Sequence, residues 1–359
     1  MSRIYSDGFE AGHYGNWVPN YLSDPHAAVI DNDDLFNFDS RLAPIEYGNY
    51  AVHTKYNRYF DLDLTTIPGV PSTGLREIYV RMRMQTNHPT QSRYLELYNG
   101  TSYIMRLTNN LTSHCWYLDM YYDLYGSRPI EAYQWHLLEL YVRVSSNRTA
   151  TDGALEFKLN GVSQTGMLTG ISTTNIATAD KWVTNIRLGP TASNYSYILL
   201  WDDIVICDST ATTSFTDAHI LGGEPYAIGS NNFWEPEPPS LETYECVNTV
   251  GDTAAVETNY IVALGTGGRE TFPVTLDNTA VTAIDSVSVR CRSRKAGAAS
   301  AYQVAPVLNV GGVNYDATPE ELTVDYEDYY AMWEQNPNTG LYWDVLDIND
   351  IEVGVRSDE

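Results

Sequence analysis

The sequence predicts an all-β protein: a concanavalin/laminin-G-like jelly-roll sandwich followed by a smaller β-sandwich-like domain. Two observations give the all-β class. Apolar and polar residues alternate with period two in short runs, separated by clusters of Gly, Asn, Pro, Ser and Thr. No window supports an amphipathic helix of more than two turns. A third observation concerns what the sheets face. The chain holds 28 Tyr beside 8 Trp and 8 Phe. Tyrosine favours strands and joins an apolar ring to a polar tip, which suits sheets that keep one face wet or against a partner.

The clearest runs are Arg76–Met84, Tyr94–Tyr98, Tyr103–Leu107, Trp116–Tyr125, Trp135–Val144, Ala154–Leu159, Trp182–Leu188 and Tyr197–Cys207. Val162–Thr178 is small and polar and reads as a loop. A break follows at Leu221–Pro239, where Pro and Gly accumulate around an extended PEPP core. Strand patterns resume at Tyr260–Leu264, Val287–Arg292, Val304–Val310 and Leu322–Tyr326, and Glu320–Trp333 has room for one short helix. The expected organisation is a domain over 1–222, a linker over 223–239 and a small β domain over 240–359, with proteases expected to cut within Gly222–Glu242.

Charge narrows the partners. With 46 acidic against 21 basic residues the formal net charge is −25. Such a field repels nucleic acid and anionic lipid; Arg290, Arg292, Arg294 and Lys295 form the only basic cluster. No run approaches a membrane span, so neither nucleic-acid binding nor membrane insertion is expected. Cys115, Cys207, Cys246 and Cys291 lie far apart and fit folding in a reducing cytoplasm. The N-terminal MSRIYSDGFEAG lacks an apolar signal core.

Two segments carry a resemblance. Trp135–Val144 leads through a turn into Asp152–Val162, which ends in Asn160-Gly161. Tyr5–Trp17 and Leu199–Asp208 suit the adjacent opening and closing strands of a jelly roll. These strings resemble the concanavalin-like and laminin-G-like jelly rolls over about 200 residues, a fold that hosts lectins, glycanases and scaffolds alike. Beyond the break, Pro238-Pro239, Thr243-Tyr244, Gly251-Asp252-Thr253, the Arg290–Lys295 strand end, Trp333 through Gly340, Trp343, Ile348-Asn349 and Glu352 through Val355 resemble the small β domain that follows such jelly rolls in tailed bacteriophages. With Tyr5–Glu10, the resemblance implies a virion structural protein made in the host cytoplasm.

No paired-carboxylate strand, Gly-x-Ser-x-Gly, His-Glu-x-x-His or phosphate loop occurs, so the chain reads as non-enzymatic. In Cys115–Tyr125 the alternation predicts one strand with Trp116, Leu118, Met120, Tyr122 and Leu124 inward. Tyr117, Asp119, Tyr121, Asp123 and Tyr125 then share the outer face. Rings alternating with carboxylates suit a sugar, or equally the surface of a neighbouring subunit. Glu10, Asp202 and Asp203 are candidate ligands for a structural calcium, which the resemblance favours; the alternative is that Asp203 hydrogen-bonds a loop and Asp202 faces solvent. Trp333, Tyr342 and Trp343 read as core and turn. The function expected is a tail fibre or surface appendage that contacts other virion proteins, itself and a host-surface glycan. A capsid decoration (cement) protein and a stand-alone carbohydrate-binding module are the alternatives.

Overall fold

The computed structural model describes residues 3–7, 16–19, 27–30, 45, 51–55, 58–88, 93–109, 115–189, 198–208, 220–247, 259–276, 281–295 and 302–358. The chain divides into two compact units, Met1–Ile220 and Leu221–Glu359. Each unit has its own buried apolar residues.

The described residues of the first unit form β1 (Arg3–Asp7), β2 (Trp17–Pro19), β3 (Ala27–Ile30), β4 (Ala51–Lys55), β5 (Phe60–Asp63), β6 (Glu77–Thr86), β7 (Arg93–Asn99) and β8 (Ser102–Asn109). There follow β9 (Cys115–Asp119), β10 (Leu124–Pro129), β11 (His136–Arg143), β12 (Gly153–Leu159), β13 (Val162–Ser163), β14 (Leu168–Ile171), β15 (Asn185–Leu188) and β16 (Ile198–Asp208). Two antiparallel sheets result. One runs β13-β12-β11-β6-β16-β4-β3, with β1 beside β16 and β14 beside β12. The other runs β10-β9-β8-β7-β15-β5-β2. Its two edge strands, β10 and β2, each contain a proline, Pro129 and Pro19.

The alternation explains why these sheets close on one another. In β6, the apolar Ile78, Val80, Met82 and Met84 fall on one face, and Tyr79, Arg81 and Arg83 fall on the other, where they too are buried. Trp116 of β9 meets Phe157 of β12 edge-on with ring centroids 5.0 Å apart. Trp201 of β16 donates its indole N–H to the Tyr94 carbonyl of β7 at 3.2 Å. Burying one such ring removes about 150–250 Å² from water, worth roughly 4–6 kcal/mol at 25 cal/mol per Å². A jelly-roll-like β sandwich is the outcome.

Local turns follow the sequence where turn chemistry is strong. Asn160 (φ 52°) and Gly161 (φ 72°) make the two-residue connection from β12 to β13. The expected adjacency of opening and closing strands is present, since β1 pairs with the second half of β16. The opening segment does not form one strand, however: β1 and β2 lie in different sheets. The loop expected over Val162–Thr178 contains β13 and β14, which pair with β12 as short edge strands.

The second unit contains β17 (Glu224–Pro225), β18 (Trp234–Glu237), α1 (Thr243–Val247), β19 (Tyr260–Ala263), β20 (Arg269–Thr275), β21 (Val287–Ser293), β22 (Gln303–Val310), β23 (Val313–Asp316), β24 (Glu320–Glu321), β25 (Glu327–Trp333) and β26 (Ile351–Asp358). A sheet ordered β17-β20-β26-β22-β23, with β24 beside β22, is accompanied by two ribbons, β18–β19 and β21–β25. The β21–β25 ribbon packs its apolar side on the sheet: Val289 clusters with Leu308 and Val310, and Tyr329 with Val304 and Val355. This corrects the helix expected within Glu320–Trp333, where Tyr329 and Tyr330 are buried and Tyr329 pairs with Cys291 across strands. Leu322–Tyr326, expected as a strand, is a turn between β24 and β25.

The 223–239 segment is not a free linker. β17 pairs with β20 and β18 with β19. Between them, the Phe233 and Trp234 amides donate to the buried Glu270 carboxylate at 2.8 and 3.1 Å. The Gly229 amide donates to the Thr271 carbonyl at 2.9 Å, and Ser230 donates to Glu352. Pro- and Gly-rich composition does predict extended chain, and an extended chain with satisfied donors is also what a sheet edge accepts.

Gly354 of β26 lies so close to the backbone of β20 that a Cβ would enter the Glu270 carbonyl. Gly354→Ala should therefore cost about 1–3 kcal/mol of stability. Gly265→Ala, where nothing lies within 4 Å of the new atom, should stay within about 0.5 kcal/mol of the parent. Thermal melts of the two variants check the close approach.

Candidate functional site

The Trp116–Tyr125 run is a hairpin and not one strand. β9 and β10 pair antiparallel, with Leu124 opposite Leu118 and Tyr125 opposite Tyr117. Trp116, Leu118 and Met120 are buried as their alternation requires, but Tyr122 is 62% exposed because the chain reverses between Met120 and Asp123. The hairpin needs Gly126, where any Cβ would enter the Trp116 indole.

Reversal brings four of the five expected face residues, Tyr117, Asp119, Asp123 and Tyr125, together by another route. Tyr117 and Tyr125, now a cross-strand pair, stack with centroids 4.8 Å apart and planes 14° from parallel. Tyr121 and Tyr122 meet edge-on at 4.6 Å in the turn. Arg148 lies 6.0 Å from the Tyr121 ring centre. Burial and the neighbouring Asp119 and Asp123 carboxylates raise the Tyr117 phenol above its ordinary range. Asp119 is raised by burial and by Asp123, against the opposing pull of Arg106.

From Asp119 a row of charges crosses the sheet. The registers place Asp119 opposite Arg106, Arg106 opposite Glu96, Glu96 opposite Arg187 and Arg187 opposite Asp61. The five residues sit on β9, β8, β7, β15 and β5, so acid and base alternate strand by strand. Arg187 grips Asp61 with two contacts of 2.7 Å. Arg106 Nε lies 2.7 Å from Glu96 and Arg106 Nη1 3.5 Å from Asp119. Tyr98 donates its hydroxyl to Glu96 at 3.1 Å. The guanidiniums also stack on rings: Arg106 lies 3.7 Å from the centre of Tyr103, and Arg187 3.7 Å from Tyr59 and 4.6 Å from Tyr98.

Glu96 is the extreme member, with a side chain 0% exposed. Burial pushes its carboxyl above the ordinary range, and Arg106, Arg93, Tyr98 and Arg187 pull the other way. Sequence reasoning missed Asp61, Glu96, Arg106 and Arg187. The only available signal was polar residues at alternate positions of runs otherwise apolar; their alignment depends on pairings between distant strands.

Asp202 and Asp203 sit in a bulge where β16 leaves β4 and takes up β1. Asp203 has φ 50°. One of its oxygens accepts the Ile220 amide at 2.8 Å, and the other lies 3.3 Å from Arg83. Asp202 is buried, not solvent-facing, and accepts the Asp203 amide at 2.7 Å. Glu10 lies outside the described residues. Among the described residues no group of three or more His, Cys, Asp or Glu is gathered to hold a metal. In the second unit Trp343 is core and donates to the Trp333 carbonyl at 2.8 Å.

No family model and no curated protein matches the chain. Among solved structures, a sialidase is similar at 12% identity over 58% of this chain, with a TM-score of 0.36; the chain spans 18% of that protein's length. Domain 4 of an extracellular arabinanase from Geobacillus stearothermophilus, solved with arabinotriose, is similar at 13% identity over 57% of this chain and 92% of its own, with a TM-score of 0.36. The binding domain of botulinum neurotoxin serotype G gives 10% identity, 99% and 92% coverage and the same TM-score of 0.36. Likeness at this level says nothing of ligand or reaction.

The charge row makes a stability prediction. Arg106→Ala leaves Glu96 buried with its nearest cation gone and should cost about 3 kcal/mol. Burial makes the Glu96 carboxyl easier to protonate in the fold than in the unfolded chain. Its contribution to stability is therefore fully present below the unfolded value, near 4.5, and is lost as pH rises through the higher folded value. Melting temperatures across the acidic range should accordingly fall less with rising pH in Glu96→Gln than in the parent.

Proposed function

We propose that this chain is a non-enzymatic structural protein of a tailed-bacteriophage particle, part of a tail fibre or surface appendage, whose first unit contacts a host-surface glycan. The observation that carries the glycan contact is the tyrosine cluster at the β9–β10 end of the seven-stranded sheet. Tyr117 and Tyr125 are stacked, Tyr121 and Tyr122 are exposed, and Asp119 and Asp123 lie beside them. Ring faces take the C–H side of a sugar, and carboxylates accept its hydroxyls. The virion assignment rests on the sequence resemblance of both units.

The same face supports binding over hydrolysis. Glycoside hydrolysis uses two carboxyls flanking the scissile bond, one of them protonated. Here Glu96 is sealed from solvent, Asp61 is clamped by Arg187, and Asp119 lies against Arg106. Asp123, the remaining carboxylate of the cluster, stands beside rings suited to holding a sugar.

The test joins a variant to a location. Tyr125→Ala combined with Asp123→Ala removes groups outside the buried set and should leave the melt unchanged. Binding to host cells and to surface polysaccharide should fall about tenfold or more, the equivalent of ~1.4 kcal/mol. Antibody labelling of purified particles should mark the tail. Labelling spread over the head would favour the decoration protein, absence from particles the stand-alone carbohydrate module. Undiminished glycan binding by the variant would refute the assigned face.

A further inference from the structure

The string that follows β25, Glu334 to Asp350, forms a braced loop that leaves large apolar side chains in water. Asn336 is buried; its amide donates to the Leu341 carbonyl at 2.8 Å, and its own carbonyl takes the Gly340 amide at 2.8 Å. Tyr315 holds Asn338 at 2.9 Å. Trp343 plugs into the core, and Asp344 and Asp347 cap neighbouring amides at 2.9 and 2.8 Å. On this frame Leu341, Tyr342 and Leu346 are 68%, 78% and 74% exposed. A loop so tied has little entropy left to lose on binding, which favours contact by the side chains it displays. Asp344, Asp347 and Asp350 belong to the same string, and among the described residues none is paired with Lys or Arg.

The matching surface lies in the same unit. Arg290, Arg292, Arg294 and Lys295 place four of the chain's 21 basic residues within six positions. On the β21–β25 ribbon, Arg294 lies 4.4 Å from the centre of the Tyr326 ring. Arg292 and Arg294 are exposed, and among the described residues neither Arg294 nor Lys295 has a carboxylate within ion-pair reach. Asp325, Glu327 and Asp328 are the nearby acids, and Asp328 faces Arg292 at 3.7 Å. The braced loop leaves the ribbon at its other end, where Val287 pairs with Trp333, while Ser293 pairs with Glu327 at the Arg294 end. Those ends are about 20 Å apart at ~3.4 Å per residue. One copy cannot bring its own loop onto its own Arg–Tyr end.

We infer that the second unit joins copies of this chain head to tail, the acid-bearing apolar loop of one copy seating on the Arg294–Lys295–Tyr326 end of the next. In a chain of net charge −25, a second copy supplies both the acidic loop and the one basic cluster. Such a contact is heterologous: it closes into a ring if the rotation allows and otherwise extends. It uses no residue of the glycan face and stands whether or not that face binds sugar.

The test is sedimentation velocity of the full chain over a range of concentration and salt. The parent should associate beyond the dimer at low salt and dissociate as salt rises. Leu341→Ser with Leu346→Ser, and separately Arg294→Glu with Lys295→Glu, should each stay monomeric with unchanged melts, since Leu341, Leu346 and Arg294 are exposed and Lys295 is only half-buried. Mixed together, the two variants should form a dimer that grows no further, because each retains the surface the other lost. A parent that stays monomeric at every concentration overturns the inference. A loop variant that fails while the Arg–Lys variant associates like the parent overturns it in favour of a loop-to-loop contact.

Discussion

Across the outer face of the seven-stranded sheet, Asp61, Arg187, Glu96, Arg106 and Asp119 stand opposite one another on five successive strands. Directly opposed side chains in antiparallel sheets lie about 4.5–5.5 Å apart at Cβ, so each internal charge has an opposite charge on both sides. Glu96 makes the arrangement obligatory. Its carboxylate is out of water, and removing one partner from such a buried pair costs several kcal/mol. A slip of one residue would turn every side chain to the wrong face. A slip of two keeps the faces but separates Glu96 from its guanidiniums. The row therefore fixes the register of the strands that support the tyrosine hairpin.

Carboxylates do similar work in the second unit. Glu270 is buried and collects two amides of the 223–237 segment, Glu352 collects Ser230, and Asp316 binds both Arg269 and Arg356. Arg269 and Arg356 hold the Asp316 carboxyl below its ordinary range. These acids serve as internal acceptors for backbone and guanidinium donors. The acids of the braced loop differ in having no basic partner among the described residues.

Period-two alternation was enough to find most long strands, and the Asn160-Gly161 turn declared itself through positive φ. The hairpin at Cys115–Pro129 did not, because Met120–Asp123 contains no Gly, Pro or Asn and the apolar alternation runs on through the reversal. Burial of Met120 against exposure of Tyr122 is a tertiary outcome that the pattern does not encode. The tyrosines and aspartates of the site were visible in the sequence; the guanidiniums beside them were not, since Arg106 and Arg187 reach Glu96 only through pairings set elsewhere. The 223–239 segment misled for a related reason. Its composition reports an extended backbone and is silent on the buried carboxylates that receive that backbone.

The prolines at the two described ends of the seven-stranded sheet bear on what its edges offer to another chain. A strand edge is a template for a further strand, and proline there removes a donor and resists continuation. With Pro19 in β2 and Pro129 in β10, both rims of this sheet are poor acceptors for an incoming chain. An incoming strand therefore meets, at each of these described edges, a position that cannot donate to it.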